Sequence, residues 1–255
     1  VAGLDAEGML RAASAGSLQA LVVGGVQPSD FADAPAARAA IEAASFVVSL
    51  EQRVSEVTER ADVVFPVVLI EQQAGTFVNW EHRRGRVNRV IRDSNVAMTD
   101  ARVLAALADG LGVDLGFRTP SGALAELDEL GVWEGPRPAL SAPTQRAAAS
   151  GGLRLASWRQ LIDGSASNAG AADLIATAKR PVVRLSPATA AGLGLAEGED
   201  ATVSIGRRGV TLPVAIEPTL LDSVVWLPGD FFKGSLGELA ARPGDSVTVT
   251  RGGAS

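Results

Sequence analysis

The segment Ala61–Arg86 reads ADVVFPVVLIEQQAGTFVNWEHRRGR, and its character changes twice. Asp62–Val68 is a short apolar run rich in β-branched residues, the pattern of a buried strand. Pro66 sits late in that run, where a missing backbone N–H is tolerated. Polar Glu71, Gln72 and Gln73 break the pattern, and Gly75-Thr76 marks a turn. Phe77-Val78-Asn79-Trp80 resumes an extended pattern, and Glu81–Arg86 reads as a charged, flexible loop. A core strand that runs straight into an exposed polar segment is typical of the sheet edges at which α/β proteins bind ligands and partners.

Upstream, the same logic extends to the start of the chain. Leu4–Ala15 reads as a helix stopped by Gly16, and Leu18–Val23 as a strand followed by Gly24-Gly25. Pro28-Ser29-Asp30 opens a helical stretch to about Ala44, with Ala36, Ala37, Ala40, Ile41 and Ala44 on one face. Phe46–Leu50 is a second strand and Ser55–Arg60 a short helix before the strand at Asp62–Val68. Alternating strands and helices at this spacing imply parallel strands joined by right-handed crossovers. Downstream, Thr99-Asp100 starts a helix through Leu111 with Val103, Leu104, Leu107 and Leu111 as its core stripe. A second helix capped by Ser121 carries Leu124, Leu127 and Leu130 on one face and stops at Gly131.

Residues 131–152 hold three prolines, an Ala run and Ser150-Gly151-Gly152, the composition of a linker. The texture then turns to β. Strands are expected at Leu153–Trp158, Val182–Leu185, Ala201–Ile205, Val210–Ile216, Val224–Leu227 and Ser246–Thr250. A short helix is expected at Ala169–Ala178 and a helical turn at Pro187–Leu193. Gly206-Arg207-Arg208-Gly209 is a hairpin turn, and Gly198-Glu199-Asp200 and Pro243-Gly244-Asp245 are two similar turns that feed strands. Short strands with such turns close into a small barrel. The reading is therefore a parallel-sheet α/β domain over 1–130, a linker over 131–152, and a β-barrel domain over 153–255.

Composition narrows the chemistry. The 255 residues are 47% hydrophobic with a net charge of −6, which fits a globular chain and argues against a general nucleic-acid binder. Without cysteine this segment supplies no disulfide, thiolate nucleophile or iron–sulfur ligand. His82 is the only histidine, which excludes a histidine-rich metal site. No apolar run approaches the roughly 20 residues of a membrane span, and no signal peptide is read.

The opening segment also carries a resemblance. Ala61-Asp62-Val63-Val64-Phe65-Pro66, Glu71, and Gly75-Thr76-Phe77-Val78-Asn79-Trp80-Glu81 resemble the "ADVVxP … E … GTFxNxEGRxxR" pattern of the molybdopterin oxidoreductase superfamily, with His82-Arg83 inserted or substituted before Arg84-Gly85-Arg86. Pro187–Asp200 followed by Ala201-Thr202-Val203 is similar to the "P-x-x-A-x-x-L-G-[IL]-x-x-G-D-x-V" of the molybdopterin-dinucleotide-binding domain, a double-psi β-barrel. Val225-Trp226-Leu227-Pro228 fits its late "VVxxP" strand. Within the superfamily, Phe77-Val78-Asn79-Trp80-Glu81 looks most like the large iron–sulfur subunits of respiratory NADH–quinone oxidoreductase, complex I.

That resemblance implies a non-catalytic C-terminal segment of such a subunit. The complex would pass electrons from NADH through FMN and iron–sulfur clusters to quinone, coupled to proton translocation. The clusters would be held upstream in the full subunit and FMN elsewhere in the complex. Partners would be other peripheral-arm subunits, at the cytoplasmic face of the bacterial inner membrane, with no membrane span here. Two alternatives remain: the C-terminal part of an active molybdopterin-dinucleotide oxidoreductase of the formate dehydrogenase or nitrate reductase type, and a degenerate scaffold outside respiration. Active members carry a "T-G-R" strand end followed by an H-x-T segment. Here the strand ends Ser157-Trp158-Arg159, residues 160–180 lack histidine, and Trp158 puts an indole where the pattern has glycine.

Individual residues carry two readings each. Gly24-Gly25 between strand and helix suits a phosphate cradle or a tight βα turn. Family members place a dinucleotide near an equivalent Gly-x-Asn-Pro, and Gly25-Val26-Gln27-Pro28 lacks the Asn. Glu51 stands where family members read a guanine edge, or is an ordinary strand-end carboxylate. Gly192-x-Gly194 with Gly198 is a poor dinucleotide fingerprint, because a turn and strand follow it. No cofactor, catalytic or metal role is expected of any of them. Arg83, Arg84, Arg86, Arg89 and Arg92 form a basic cluster in an acidic chain, either a solvated face or an interface with an acidic neighbouring subunit.

Overall fold

A computed structural model of the chain describes residues 3–92, 97–136, 152–232 and 234–253. It divides into two compact units, one of Val1–Val26 with Ile41–Thr144 and the other of Gln27–Ala40 with Gln145–Ser255. The α/β and barrel architecture expected from the sequence is what the structure shows. Most of the expected linker, residues 137–151, lies outside the described residues.

In the first unit, α1 (Ala6–Ser14) starts at Asp5, whose carboxylate accepts from the Gly8 N–H. Strand β1 (Ala20–Gly24) leads through α2 (Ala34–Ala43) to β2 (Phe46–Glu51), and α3 (Glu56–Arg60) leads to β3 (Val63–Pro66). The three strands are parallel in the order β1-β2-β3. Ser55 and Thr58 form a reciprocal cap that starts α3. Because the crossovers share one hand, their helices pack on one sheet face. There Leu21 and Val47 meet Ala13, Ile41, Ala44 and Val57.

After β3, Val67 bridges Met98, and the chain forms an antiparallel hairpin from β4 (Gly75–Val78) and β5 (Arg84–Val87). Helices α4 (Asp100–Gly110) and α5 (Pro120–Leu130) follow. Val103 of α4 packs on Val48, Leu50 and Val67, on the opposite sheet face. The hairpin corrects the expectation of a flexible loop at Glu81–Arg86: the arginines are spaced along a paired strand, and the turn before them is closed by Asn79. The core stripes expected in the last two helices are also only partly buried. Val103 is buried and Leu107 packs beside it, but Leu104, Leu111, Leu127 and Leu130 are exposed. Thr119, rather than Ser121, caps α5, with Pro120 in its first turn.

The second unit is built on β6 (Leu153–Trp158). One helical turn, α6 (Ala172–Ile175), precedes β7 (Val183–Leu185) and α7 (Pro187–Leu193). Strands β8 (Asp200–Ile205), β9 (Arg208–Ile216), β10 (Val224–Pro228) and β11 (Ser246–Arg251) complete a closed barrel in the order β10-β6-β11-β8-β9-β7. The β10–β6 and β7–β9 pairings are parallel. Leu155, Val183, Leu185, Val203, Val214, Val225, Leu227 and Val249 fill its interior. Gly194 ends α7 with φ at 67°, a left-handed position that suits glycine and explains the Gly-x-Gly spacing without a ligand.

The segment 27–40 packs with the barrel, whereas the sequence grouped it with the α/β domain. The expected long helix is interrupted here. Pro28–Asp30 is a 3-10 turn, Phe31 is extended, and α2 begins only at Ala34. Pro35 cannot donate inside a helix and so sits in its first turn. Asp33 accepts from the Ala36 N–H and a two-pronged pair from Arg208 at 2.9 and 3.1 Å. Arg38 forks onto Glu238 at 2.9 and 2.7 Å, Arg159 pairs with Asp30 at 2.6 Å, and the Ser235 hydroxyl donates to the Ser29 carbonyl. Charges that look solvated in the sequence thus bind the segment to the barrel as a strap.

Candidate functional site

Three places carry the residues singled out in the sequence. At the first, Gly25 takes φ 61° and donates its N–H to the Leu50 carbonyl at 3.3 Å, so that donor is engaged inside the sheet. Glu51 follows Leu50 at the end of β2. Burial pushes its carboxyl above the usual range, opposed by the backbone N–H groups of Gln52 and Gly25 and by Arg53, while Asp100 adds to the rise. A carboxylate beside Gly24-Gly25 opposes a phosphate in the same turn. A shallow cavity of about 370 Å³ runs from Glu51 past Arg53, Thr58 and Glu59 to Pro66.

The second place is the β4–β5 hairpin. Thr76 pairs with Arg86 and Val78 with Arg84, so both arginines lie on the Val78 face, while Phe77 stands opposite Gly85 on the other. Asn79 organises the turn: its side-chain oxygen accepts from the Glu81 and Arg83 N–H groups at 3.0 and 2.9 Å, and its carbonyl accepts from the His82 N–H. His82 takes φ 62°. Read without insertion, Asn79-Trp80-Glu81-His82-Arg83 matches N-x-E-G-R, and His82, at the place of the pattern's glycine, takes a left-handed conformation that glycine adopts freely. Trp80 projects from the tip, 88% exposed. Of the arginines, Arg84 pairs with Asp128 of α5, Arg83 with Glu81 at 3.2 Å, and Arg89 donates to the Ile91 carbonyl. The cluster is therefore divided between short-range bonds of Arg83 and Arg89 and a distant one from Arg84 to α5. Sequence spacing gives no sign of the Asp128 contact.

The third place is the end of β6. Trp226 of β10 lies beside Ala156 in register, on the outer barrel face, yet is only 1% exposed. Trp158 covers it with ring centroids 4.8 Å apart, and the Arg184 guanidinium sits 4.8 Å above its ring. Trp158 itself is 60% exposed. The pair borders a cavity of about 490 Å³ lined also by Arg159, Leu161, Ile162, Thr177 and Lys179. Among the described residues, three cations and no carboxylate line it. The loop after β6 is held by Asp230, whose carboxylate accepts from the Gly164 and Phe232 N–H groups. The buried Asp163 accepts from Ser165. Burial works to raise the Asp163 carboxyl, and hydrogen bonds from Ser165 and Asn168 with the charge of Arg159 outweigh it, so the net shift is downward. Among the described residues, no group of three or more His, Asp or Glu side chains is placed to hold a metal ion.

Comparison with known proteins bears on these features. The chain is 50% identical over 234 residues to the G subunit of NADH-quinone oxidoreductase from Mycobacterium bovis, covering 89% of this chain and 29% of that protein. By sequence, the chain is a relative of these G subunits. The Streptomyces coelicolor G subunit is 40% identical over 255 residues, covering 97% of this chain and 30% of its own length. The chain thus spans less than a third of the G subunits it matches. No protein-family model matches it. In fold it is similar to acetylene hydratase from Pelobacter acetylenicus, with a TM-score of 0.65 and 16% identity over 96% of this chain and 46% of that one. The likeness extends over both units, in keeping with the molybdopterin-oxidoreductase type of fold that the two motifs implied.

Proposed function

We propose that this chain is the C-terminal, non-catalytic portion of the G subunit in a respiratory NADH–quinone oxidoreductase. In this reading it binds no pterin, and it acts as packing and docking surface within the peripheral arm. The 50% identity to such a G subunit over most of the chain carries the proposal. The barrel supports the cofactor-free part of it. Where active members bring a glycine close to the cofactor, Trp158 tilts against Trp226 and the Arg184 guanidinium lies over the Trp226 ring. These residues do not fit a pterin seat. At the α/β unit, the engaged Gly25 N–H and the neighbouring Glu51 carboxylate speak for a plain βα turn. The iron–sulfur clusters and FMN belong, in this reading, to the rest of the subunit and complex, on the cytoplasmic face of the membrane. No helix among the described residues is long and apolar enough to cross a membrane.

The hairpin is the docking element in this proposal. Tryptophan and arginine dominate binding hot spots, and the tip presents Trp80 and Arg83, with Arg86 further along β5 opposite Thr76. Pterin and molybdenum analysis of the purified complex tests the main reading. None should be found, and a stoichiometric pterin on this chain would overturn it in favour of the active molybdopterin alternative. For docking, Arg86→Glu is the cleaner probe, because Arg84 already serves Asp128. It should weaken assembly on native gels while leaving subunit abundance unchanged, and undiminished assembly would refute the docking role.

A further inference from the structure

The cavity at the end of β6 is made by two stretches of the barrel unit, one running out of β6 from Trp158 and the other following α6 to Lys179. Thr177 ties the second stretch to α6, its hydroxyl donating to the Leu174 carbonyl at 2.7 Å. The charge here is not balanced. Arg159 has Asp30 at 2.6 Å and Arg184 has Glu217 at 3.4 Å. The exposed Lys179 ammonium has no hydrogen-bond or ion-pair partner among the described residues, and neither has the side chain of Arg180 after it. In a chain of net charge −6 this is a local positive excess. Apolar surface lies beside it on the same cavity: Leu161 is 96% exposed, next to the open Trp158 indole.

We propose that an acidic segment of a neighbouring subunit docks here, with one carboxylate on Lys179 and an apolar side chain against Trp158 and Leu161. The single uncompensated cation of the lining calls for one carboxylate, and Arg180 favours a segment that carries more than one. The openness of the site favours a segment of chain over a small acid. Small-ligand sites enclose roughly 70–90% of the ligand surface, and a leucine as exposed as Leu161 encloses little. A docked segment is held from both sides of the contact and needs no such enclosure. Tryptophan and arginine are also the side chains enriched where separate polypeptides meet. The site is a second docking surface in addition to the hairpin, and the inference rests on reading the chain as part of a multi-subunit complex, as its G-subunit relatives are named.

The test is site-specific photo-crosslinking in the full-length subunit within its purified complex. A benzophenone amino acid replaces Leu161, and crosslinked peptides are read by mass spectrometry with Lys179 intact, as Lys179→Glu and as Lys179→Arg. Crosslinks to a segment of another subunit that carries Asp or Glu beside the crosslinked residue are expected. Their yield should fall about tenfold in Lys179→Glu, the scale of one lost charge-assisted hydrogen bond, and hold in Lys179→Arg. Crosslinks only to the same polypeptide, crosslinks to a segment without carboxylates, a yield indifferent to Lys179→Glu, or no crosslink would each overturn the inference. The subunit composition of the purified complex, measured first, tests the multi-subunit reading separately.

Discussion

Asp33 and Arg208, 175 residues apart in the chain, meet as a two-pronged ion pair at 2.9 and 3.1 Å. The guanidinium hydrogen bond holds the Asp33 carboxyl below its ordinary range against a partial burial penalty, with help from the Ala36 N–H. A depressed folded pKa contributes stability that is present above the unfolded value and lost as pH falls through the folded one. Asp33→Asn should therefore lower the thermal midpoint at neutral pH, and the difference from the parent should shrink on acidification. Both side chains are more than a third exposed, so the effect is small and screened by salt. Hydrogen exchange at residues 29–36 should rise in the variant at neutral pH, and unchanged exchange would show that the pair does not hold the strap.

Gly237 tests the same strap sterically. A Cβ there would lie 2.3 Å from the Phe31 carbonyl oxygen and 3.2 Å from the Ala34 Cβ. Gly237→Ala should cost about 1–3 kcal/mol, the range for overpacking, in a denaturant titration of the full subunit. Gly164→Ala, which meets Asp230 Oδ1 and the Phe232 Cα at 2.8 Å, should behave alike in the loop after β6.

Glu51 carries the opposite sign from Asp33. Its folded pKa is raised, chiefly by burial. Stability is then full below the ordinary glutamate value and lost as pH rises through the folded one. Glu51→Gln should raise the thermal midpoint near pH 8 and make no difference at low pH. A loss of stability at pH 8 would mean that the charged carboxylate is used by the fold.

The two paired indoles should separate cleanly. Trp226 is buried, and its replacement by Ala should cost about 3–5 kcal/mol. Trp158 is largely exposed, and its replacement should cost about 1 kcal/mol, the scale of an aromatic pair. Equal losses in urea titrations would contradict the geometry.

At the hairpin tip, His82 stands at φ 62°. A left-handed residue with a Cβ costs about 1–2 kcal/mol, part of which glycine returns through its freer unfolded state. His82→Gly should therefore stabilise the full subunit by up to about 1 kcal/mol, whereas His82→Val should destabilise it. A stabilising valine would argue against the left-handed turn.

What can be read in advance follows from what periodicity reports. Strand positions in both units are legible because β-branched runs such as Phe46–Leu50 and Ala201–Ile205 are bounded by turn residues. Periodicity shows which face of an element is apolar, but not whether this chain supplies the partner. Leu111 and Leu130 accordingly look like core residues in sequence and are exposed in the fold. The hairpin is hidden because Arg84, Gly85 and Arg86 have weak strand preference, and Asn79 closes the turn through its side chain. The strap is hidden because its bonds to Arg208 and Glu238 join distant parts of the chain.

The strap also sets a schedule for synthesis. Asp33 leaves the ribosome long before Arg208, and at about 5–20 residues per second the wait is roughly 10–35 seconds. During that interval residues 27–40 have no barrel to join. Translation speed between Asp33 and Arg208 thus governs how long this acidic tether stays open to chaperones and proteases.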